Sequence, residues 1–209
     1  MKPFIAFLSL ILSVPLTAQD TTSNHARKKP ITWNYQTTIN AYFFKDDYIT
    51  VPVMIANHGW LHLESRFNYE RLKTISFFGG YNFTAGSKVK LVFTPMAGFA
   101  IGNIKGIIPA SEITLTYGKW RFYNESEWLI STEDSRETFF YGWAQLTYAP
   151  ADWFYFGIAG QRTRLYQTAL DYQRGVAIGF IKKKLNVSGY LFNEGFVDPF
   201  FLISACVSF

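Results

Sequence analysis

The sequence has 209 residues, enough for one domain of ordinary size. Aromatic residues make up 19% of it and charged residues only 17%, whereas soluble domains are about one quarter charged. The net charge is +5, but the basic residues form no groove-sized patch, which argues against nucleic-acid binding. The single cysteine, Cys206, excludes an intramolecular disulfide and a multi-cysteine zinc site.

The N-terminal segment has the features of a secretory signal peptide. Lys2 supplies the positive charge, Phe4 to Val14 form the apolar run, and cleavage is predicted after Ala18. A membrane-spanning helix needs about 20 apolar residues, so this run is too short for one. Residues 19–31 are polar and basic, and we expect a flexible periplasmic leader there.

From Thr32 onward the sequence alternates between apolar and polar residues, which predicts β-strands. In the clearest strand, Leu61, Leu63, Ser65, Phe67 and Tyr69 share one face, opposite His62, Glu64, Arg66, Asn68 and Glu70. A shorter strand is predicted at Ile49 to Ile55, where Ile49, Val51, Val53 and Ile55 form the apolar face. No long apolar run interrupts the pattern, which excludes a helical membrane protein.

The last nine residues repeat this pattern and end on an aromatic residue. Phe201, Ile203, Ala205, Val207 and Phe209 occupy every second position. This strand resembles the C-terminal strand of bacterial outer-membrane β-barrel proteins. The resemblance implies an all-β, closed antiparallel transmembrane barrel in the outer membrane, surrounded by lipid and lipopolysaccharide. It also implies that the barrel assembly machinery reads the strand ending at Phe209.

Connection lengths give an independent prediction of topology. Short turns at Ala85 to Ser87, Gly118 to Lys119, Ala149 to Asp152 and Lys182 to Lys184 alternate with longer connections. Outer-membrane barrels have short periplasmic turns and longer extracellular loops. This arrangement predicts about 12 strands in residues 32–209, with 10 as the alternative, and a closing contact between the last strand and Asn34 to Phe43. Tyr117, Trp120, Tyr148 and Trp153 flank short turns, which predicts a periplasmic aromatic girdle.

The polar strand faces carry too many charges for a dry core, which argues against a soluble lipocalin-like barrel. If these faces point inward, they line a lumen. The predicted lumen-lining residues are His62, Glu64, Arg66, Glu112, Arg121, Glu125, Glu127, Gln145, Gln161, Asp171 and Gln173. Glu125 and Glu127 share a strand face as a carboxylate pair, for which charge compensation by Arg121 is favoured over acid–base catalysis.

The predicted lumen is compatible with three functions. We expect a small pore or transport protein for small solutes. The first alternative is a structural barrel with a side-chain-filled lumen, because about 12 strands lie between filled and channel-forming sizes. The second is a lipid-modifying enzyme based on His58 and His62, although Ser65 points away from His62 and Glu64 and no triad forms.

Other sites are sparse in the sequence. Arg162, Arg164 and Arg174 surround a predicted extracellular loop, where guanidinium groups could bind lipopolysaccharide phosphates. Ordinary solvated charges at a strand end are the alternative. Neither a phosphate-binding glycine loop nor a metal-ligand cluster is present, so no cofactor and no metal are expected.

Overall fold

A computed structural model describes residues 31–163 and 172–209. The described strands are β1 (Trp33–Phe43), β2 (Tyr48–His58), β3 (Leu61–Phe67), β4 (Thr74–Tyr81), β5 (Phe83–Ala85), β6 (Val89–Gly102), β7 (Gly106–Tyr117), β8 (Trp120–Ser131), β9 (Phe139–Ala151), β10 (Phe154–Arg162), β11 (Gln173–Lys182), β12 (Leu185–Phe192) and β13 (Phe200–Ser208). One short 3₁₀ helix, Ser135–Glu137, precedes β9. The predicted signal peptide, residues 1–18, and nearly all of the predicted leader lie outside the described residues.

The strands form one closed antiparallel barrel. β4 and β5 both pair with β6 and are separated only by Asn82, so they are two segments of a single strand. Each remaining strand pairs with its neighbours in chain order, and β1 pairs with β13. The barrel therefore has 12 strands, which confirms the predicted number and excludes the alternative of 10. Closure satisfies the backbone groups that an open sheet edge would leave unpaired.

The seam between β1 and β13 joins the two ends of the barrel sequence. Its register runs from Gln36 opposite Ser208 to Phe43 opposite Phe201. Tyr35 and Phe209 extend it, because each backbone N–H donates to the other residue's carbonyl, at 3.0 and 2.9 Å. The closing contact is the one that the sequence predicts.

The two ends of the barrel differ in their connections. Turns at the end that holds the start of β1 and the end of β13, here called the short-turn end, are brief, as at Gly118 and Lys119 between β7 and β8. The opposite end, here called the long-loop end, includes residues 68–73, 132–138 and 193–199. In the second of these loops, a hydrogen bond from Arg136 holds the pKa of Asp134 below its ordinary value.

The outer surface is apolar. Ile39, Met54, Ile107, Ile158 and Phe201 are each more than half exposed, and they lie on five different strands. Such a surface fits the hydrocarbon core of a membrane. Among the described residues, no helix is long and apolar enough to cross a membrane.

Aromatic rings gather at the short-turn end. Trp120 lies 4.9 Å from Tyr148 and Trp60 lies 5.1 Å from Tyr81, measured between ring centroids. Trp153 is 61% exposed beside its turn. These rings form the aromatic girdle that the sequence predicts at this end.

Two predictions about strand faces are wrong. In β2, Val51 and Val53 are buried inside the barrel and Met54 is exposed outside, so the most apolar face of this strand points inward. After β3, Asn68 adopts a left-handed conformation with φ of 59°. This turn ends the alternation, and Tyr69 therefore enters the lumen rather than continuing the outer face.

Candidate functional site

The lumen at the long-loop end is filled with side chains. One group consists of Phe78, Met96, Ala100, Ile104, Ile108 and Leu129. A second group consists of Tyr42, Val51, Val53, Tyr141, Trp143, Ala159, Ala177, Tyr190, Phe192, Phe200 and Leu202. We call both groups together the apolar plug. Ile108 and Leu129 have no exposed surface at all, so this half of the barrel is packed like the core of a soluble protein.

Beside the apolar plug, Arg66 joins two separate parts of the barrel wall. Its Nε atom donates to Glu64 at 2.8 Å, and its Nη1 atom donates to Glu125 and to Glu127, both at 2.7 Å. Glu64 is on β3 with Arg66, whereas Glu125 and Glu127 are on β8. We call these four residues the Arg66 cluster. Because all four are buried, the ion pairs lie in a medium of low dielectric and are hard to separate.

Two aromatic rings enclose the guanidinium group. Tyr69 and Phe78 each have a ring centroid 4.4 Å from the Cζ atom of Arg66. The hydroxyl of Tyr69 lies 2.8 Å from a carboxylate oxygen of Glu125. The loop after β3 therefore supports the Arg66 cluster from inside the barrel.

Glu70 of the same loop is also buried. Its carboxylate accepts a hydrogen bond from Ser76, and its second oxygen has no partner in the described part of the chain. One oxygen of Glu127 lacks a partner in the same way. Two buried carboxylate oxygens beside Arg66 therefore lack a hydrogen-bond donor in the described part of the chain.

A cavity of about 230 Å³ occupies the middle of the lumen and extends toward the short-turn end. Its upper boundary includes Tyr42 and Leu202 of the apolar plug. Its lower part is lined by Arg121, which is exposed and comes directly after a short turn. The cavity is therefore closed by the plug above and reaches solvent below.

The cavity lining is polar and aromatic, and its charges are unevenly distributed. Glu64, Glu112 and Glu125 line it from β3, β7 and β8. The wall formed by β1, β12 and β13 contributes no ionisable residue other than Tyr42, Tyr190 and Cys206. It supplies Thr38, Asn40, Asn186, Ser188 and Ser204 instead. Hydrogen-bonding groups thus face carboxylates across a small volume.

Glu112 and Glu125 lie directly opposite each other on β7 and β8. The hydroxyl of Tyr123 bridges them, at 2.8 Å from Glu112 and 3.2 Å from Glu125. Glu125 also accepts from Arg66, but within residues 31–163 and 172–209 Glu112 has no basic side chain within ion-pair distance. Arg121 stays at the ring of Tyr123, 5.5 Å from its centroid.

Most of the residues predicted to line the lumen are buried in the structure. His62, Glu64, Arg66, Glu125, Glu127, Gln145, Gln161 and Gln173 are all less than 9% exposed. Glu112 and Arg121 line the cavity with larger exposure. Asp171 lies outside the described residues. The expected charge compensation of Glu125 and Glu127 comes from Arg66 of β3 rather than from Arg121 of their own strand.

His62 and His58 are held in structural contacts. The Nδ1 atom of His62 lies 3.0 Å from the side-chain oxygen of Asn57, and its Nε2 atom lies 3.4 Å from Glu64. His58 stacks on Trp33 at the short-turn end, with ring centroids 4.9 Å apart. The third member of the rejected triad, Ser65, alternates with buried His62 and Glu64 along β3.

Two of the three arginines predicted near lipopolysaccharide lie on the outer surface at the long-loop end. Arg162 alternates with inward Gln161 and lies 5.9 Å from the ring centroids of Phe140 and Tyr172. Arg174 lies 4.7 Å from the ring centroid of Phe196. Arg164 lies outside the described residues.

Sequence reasoning missed the aromatic part of the lumen. Tyr69, Tyr123, Tyr141, Trp143 and Tyr155 all line the cavity. Four of them alternate with outward residues in the sequence and could have been assigned to the lumen, but Tyr69 could not, because a turn changes its face. Among the described residues no group of three or more histidine, cysteine or acidic side chains could hold a metal ion.

Comparison with known proteins supports the fold. No family model matches the chain, and no curated protein sequence matches it. Among solved structures, the chain is similar to the KdgM porin, with a TM-score of 0.63 and 10% identity over 83% of this chain and 99% of that one. A KdgM porin in complex with disordered oligogalacturonate gives 0.58 and 10%, over 84% and 99%. The NanC porin gives 0.53 and 8%, over 82% and 98%.

The chain thus has the fold of bacterial outer-membrane porins. The comparison covers nearly the whole length of the KdgM and NanC porins, so it includes the entire barrel. The apolar outer surface agrees with a barrel of this fold that is embedded in a membrane. At about 10% identity the comparison says nothing about which lumen side chains are shared.

Proposed function

We propose that the chain is an outer-membrane channel for small solutes, whose solute path includes the cavity. The observation that carries the proposal is the cavity itself, because a polar space that reaches solvent at one end can admit a small solute into the barrel. A barrel of about 12 strands is wide enough for a narrow path but not for a wide aqueous channel.

The apolar plug favours a second candidate function, a structural barrel with a filled lumen. Its side chains close the long-loop half as tightly as a protein core. In the channel proposal, passage requires movement of the plug or of the loop that carries Tyr69. In the structural proposal, neither moves.

Single-channel recording separates the two functions. Purified, refolded protein is reconstituted in a planar bilayer in 1 M KCl, and folding is checked by heat-modifiable migration on a gel. Discrete conductance steps are expected from a channel. A silent bilayer with folded protein would overturn the channel and support the filled barrel.

A variant of the plug sharpens this experiment. Leu129→Ala removes a fully buried side chain above the Arg66 cluster, so it is expected to raise conductance in a channel that the plug restricts. Ile130→Ala is the matched control, because Ile130 lies next in sequence on the lipid face. Equal conductance in both variants would remove the plug from the solute path.

The cavity of this chain does not suit the ligand named for the KdgM porin complex. Oligogalacturonate is an anionic sugar chain, whereas three carboxylates and one arginine line the cavity here. Like charges would oppose its entry. We therefore propose small solutes as the substrate class and exclude polyanions from it.

Orientation, processing and envelope contacts belong to the same proposal. The short-turn end would face the periplasm, residues 1–18 would be removed, and the strand ending at Phe209 would be read by the barrel assembly machinery. Arg162, Arg174 and Arg164 would contact lipopolysaccharide phosphates.

N-terminal sequencing of the exported protein is expected to begin at Gln19. Arg162→Gln with Arg174→Gln is expected to lower the co-purified lipopolysaccharide.

A further inference from the structure

We infer that the cavity selects cations, with small organic amines as the favoured solutes, and that Glu112 is the residue that sets this preference. The inference rests on the channel proposed above and names its substrate class. It is carried by the position of Glu112 opposite Glu125 and by the absence of a basic partner for Glu112 in the described part of the chain.

The charges along the cavity are the first step. Glu64, Glu112 and Glu125 line it, and among the described residues Arg121 is the basic residue of its lining. Arg66 lies behind the cavity wall and binds Glu64 and Glu125 with good geometry. In the described part of the chain, Glu112 is the carboxylate of the cavity lining that has no basic side chain within ion-pair distance.

The register of β7 and β8 is the second step. Carboxylates that lie directly opposite on neighbouring strands repel each other. Tyr123 bridges Glu112 and Glu125, but one hydroxyl proton can be donated to only one of them. A positively charged group beside Glu112 would relieve the remaining repulsion.

The aromatic lining is the third step. Tyr69, Tyr123 and Tyr141 line the cavity on the same side as the carboxylates, and their hydroxyl groups lie in one hydrogen-bonded array with Glu125. Ring faces attract organic cations, as the guanidinium groups of Arg66 and Arg121 against the rings of Tyr69 and Tyr123 show in this lumen. The cavity volume of about 230 Å³ fits a solute of only a few non-hydrogen atoms.

Arg121 acts in the opposite direction at the mouth of the cavity. It is exposed, and its guanidinium lies near the ring of Tyr123 rather than in an ion pair with Glu112. Its charge lowers the attraction for cations without cancelling it, because three carboxylates line the same space. Removal of Arg121 and removal of Glu112 should therefore have opposite effects.

Reversal potentials test the inference. The protein in a planar bilayer at pH 8 is exposed to a tenfold gradient of KCl and, separately, of methylammonium chloride. We expect both cations to be more permeant than chloride, with methylammonium favoured over potassium relative to their mobilities in water. Glu112→Gln is expected to lower the cation-to-anion permeability ratio about two- to fivefold, and Arg121→Gln to raise it.

A matched control tests whether the change in permeability ratio arises in the cavity. Glu133→Gln removes the same charge from an exposed loop at the long-loop end and is expected to leave the ratio unchanged. The ratio should also shrink at 1 M salt, where the screening length falls to about 3 Å. A conducting protein that prefers chloride, or that is unaffected by Glu112→Gln, would overturn the inference and leave the channel standing. A silent bilayer would overturn both.

Discussion

The two halves of the lumen differ in the side chains that fill them. At the long-loop end, apolar and aromatic side chains exclude water, and Ile108 and Leu129 have no exposed surface. Toward the short-turn end, hydroxyl, amide and carboxylate groups surround a cavity. The Arg66 cluster lies at the boundary, where charges meet the apolar plug. The difference predicts that stability comes chiefly from the packed half and, in the proposed channel, that solute contact comes from the other half.

The largest loss of stability is expected from a change of Arg66, in the cluster between the two halves of the lumen. Arg66→Met leaves Glu64, Glu125 and Glu127 buried without a cation. Breaking a buried ion pair from one side costs about 3–5 kcal/mol, so the free energy of unfolding should fall by that amount. Urea titration of the refolded protein in detergent measures it. Arg121→Met, in the polar half, should change stability by less than about 1 kcal/mol; equal losses would erase the distinction.

The apolar plug is tested by a pair of neighbouring isoleucines. Ile108→Ala removes a fully buried side chain from the plug, whereas Ile107→Ala shortens a side chain that faces lipid. Cavity formation in a packed core costs about 2–4 kcal/mol. Ile108→Ala should therefore lower the unfolding free energy by that amount and Ile107→Ala by clearly less. Similar values would show that the plug is loosely packed.

Replacement of Gly179, inside the polar half, is expected to lower stability by a smaller amount. The ring of Tyr155 covers Gly179, and a Cβ atom there would lie 2.1 Å from the ring. Gly179→Ala should displace Tyr155 and lower the free energy of unfolding by about 1–3 kcal/mol. Gly189→Ala is the control, because a Cβ atom there meets nothing within 4 Å. Recovery of stability by the double change Gly179→Ala with Tyr155→Ala would assign the loss to this one contact.

The smallest effect on stability is expected at Cys206, which lines the cavity. A small, water-soluble thiol reagent should modify it in folded protein, and mass spectrometry measures the extent. In a Cys206→Ala background, Leu129→Cys places the thiol in the plug, where Leu129 has no exposed surface. That thiol should stay unmodified until the protein unfolds. Equal modification at both positions would show that water reaches the plug.

The outer surface of the barrel was predictable from sequence, and the reason is the membrane. Lipid imposes one requirement on every strand, so the alternation of Phe201, Ile203 and Val207 identifies the outer face without knowledge of neighbours. The alternation in β8 likewise assigned Glu125 and Glu127 to the inside. Strand number followed from turn lengths.

The interior was less predictable, because its requirements are set by partners distant in sequence. Arg66 and Glu125 are 59 residues apart, so nothing local shows that they pair. Val51 and Val53 were assigned to the wrong face because the plug accepts apolar residues from inside. A single turn at Asn68 was enough to move Tyr69 from lipid to lumen.

The seam between β1 and β13 has a kinetic consequence. Every other strand pair joins neighbours in the sequence, so those hairpins can form one after another from local contacts. The seam joins positions separated by nearly the whole barrel sequence, from Gln36 with Ser208 to Phe43 with Phe201. Contacts of such separation form late because loop closure costs entropy first. Until the seam forms, β1 and β13 are open edges, and this interval is when the protein is most prone to join strands with another copy.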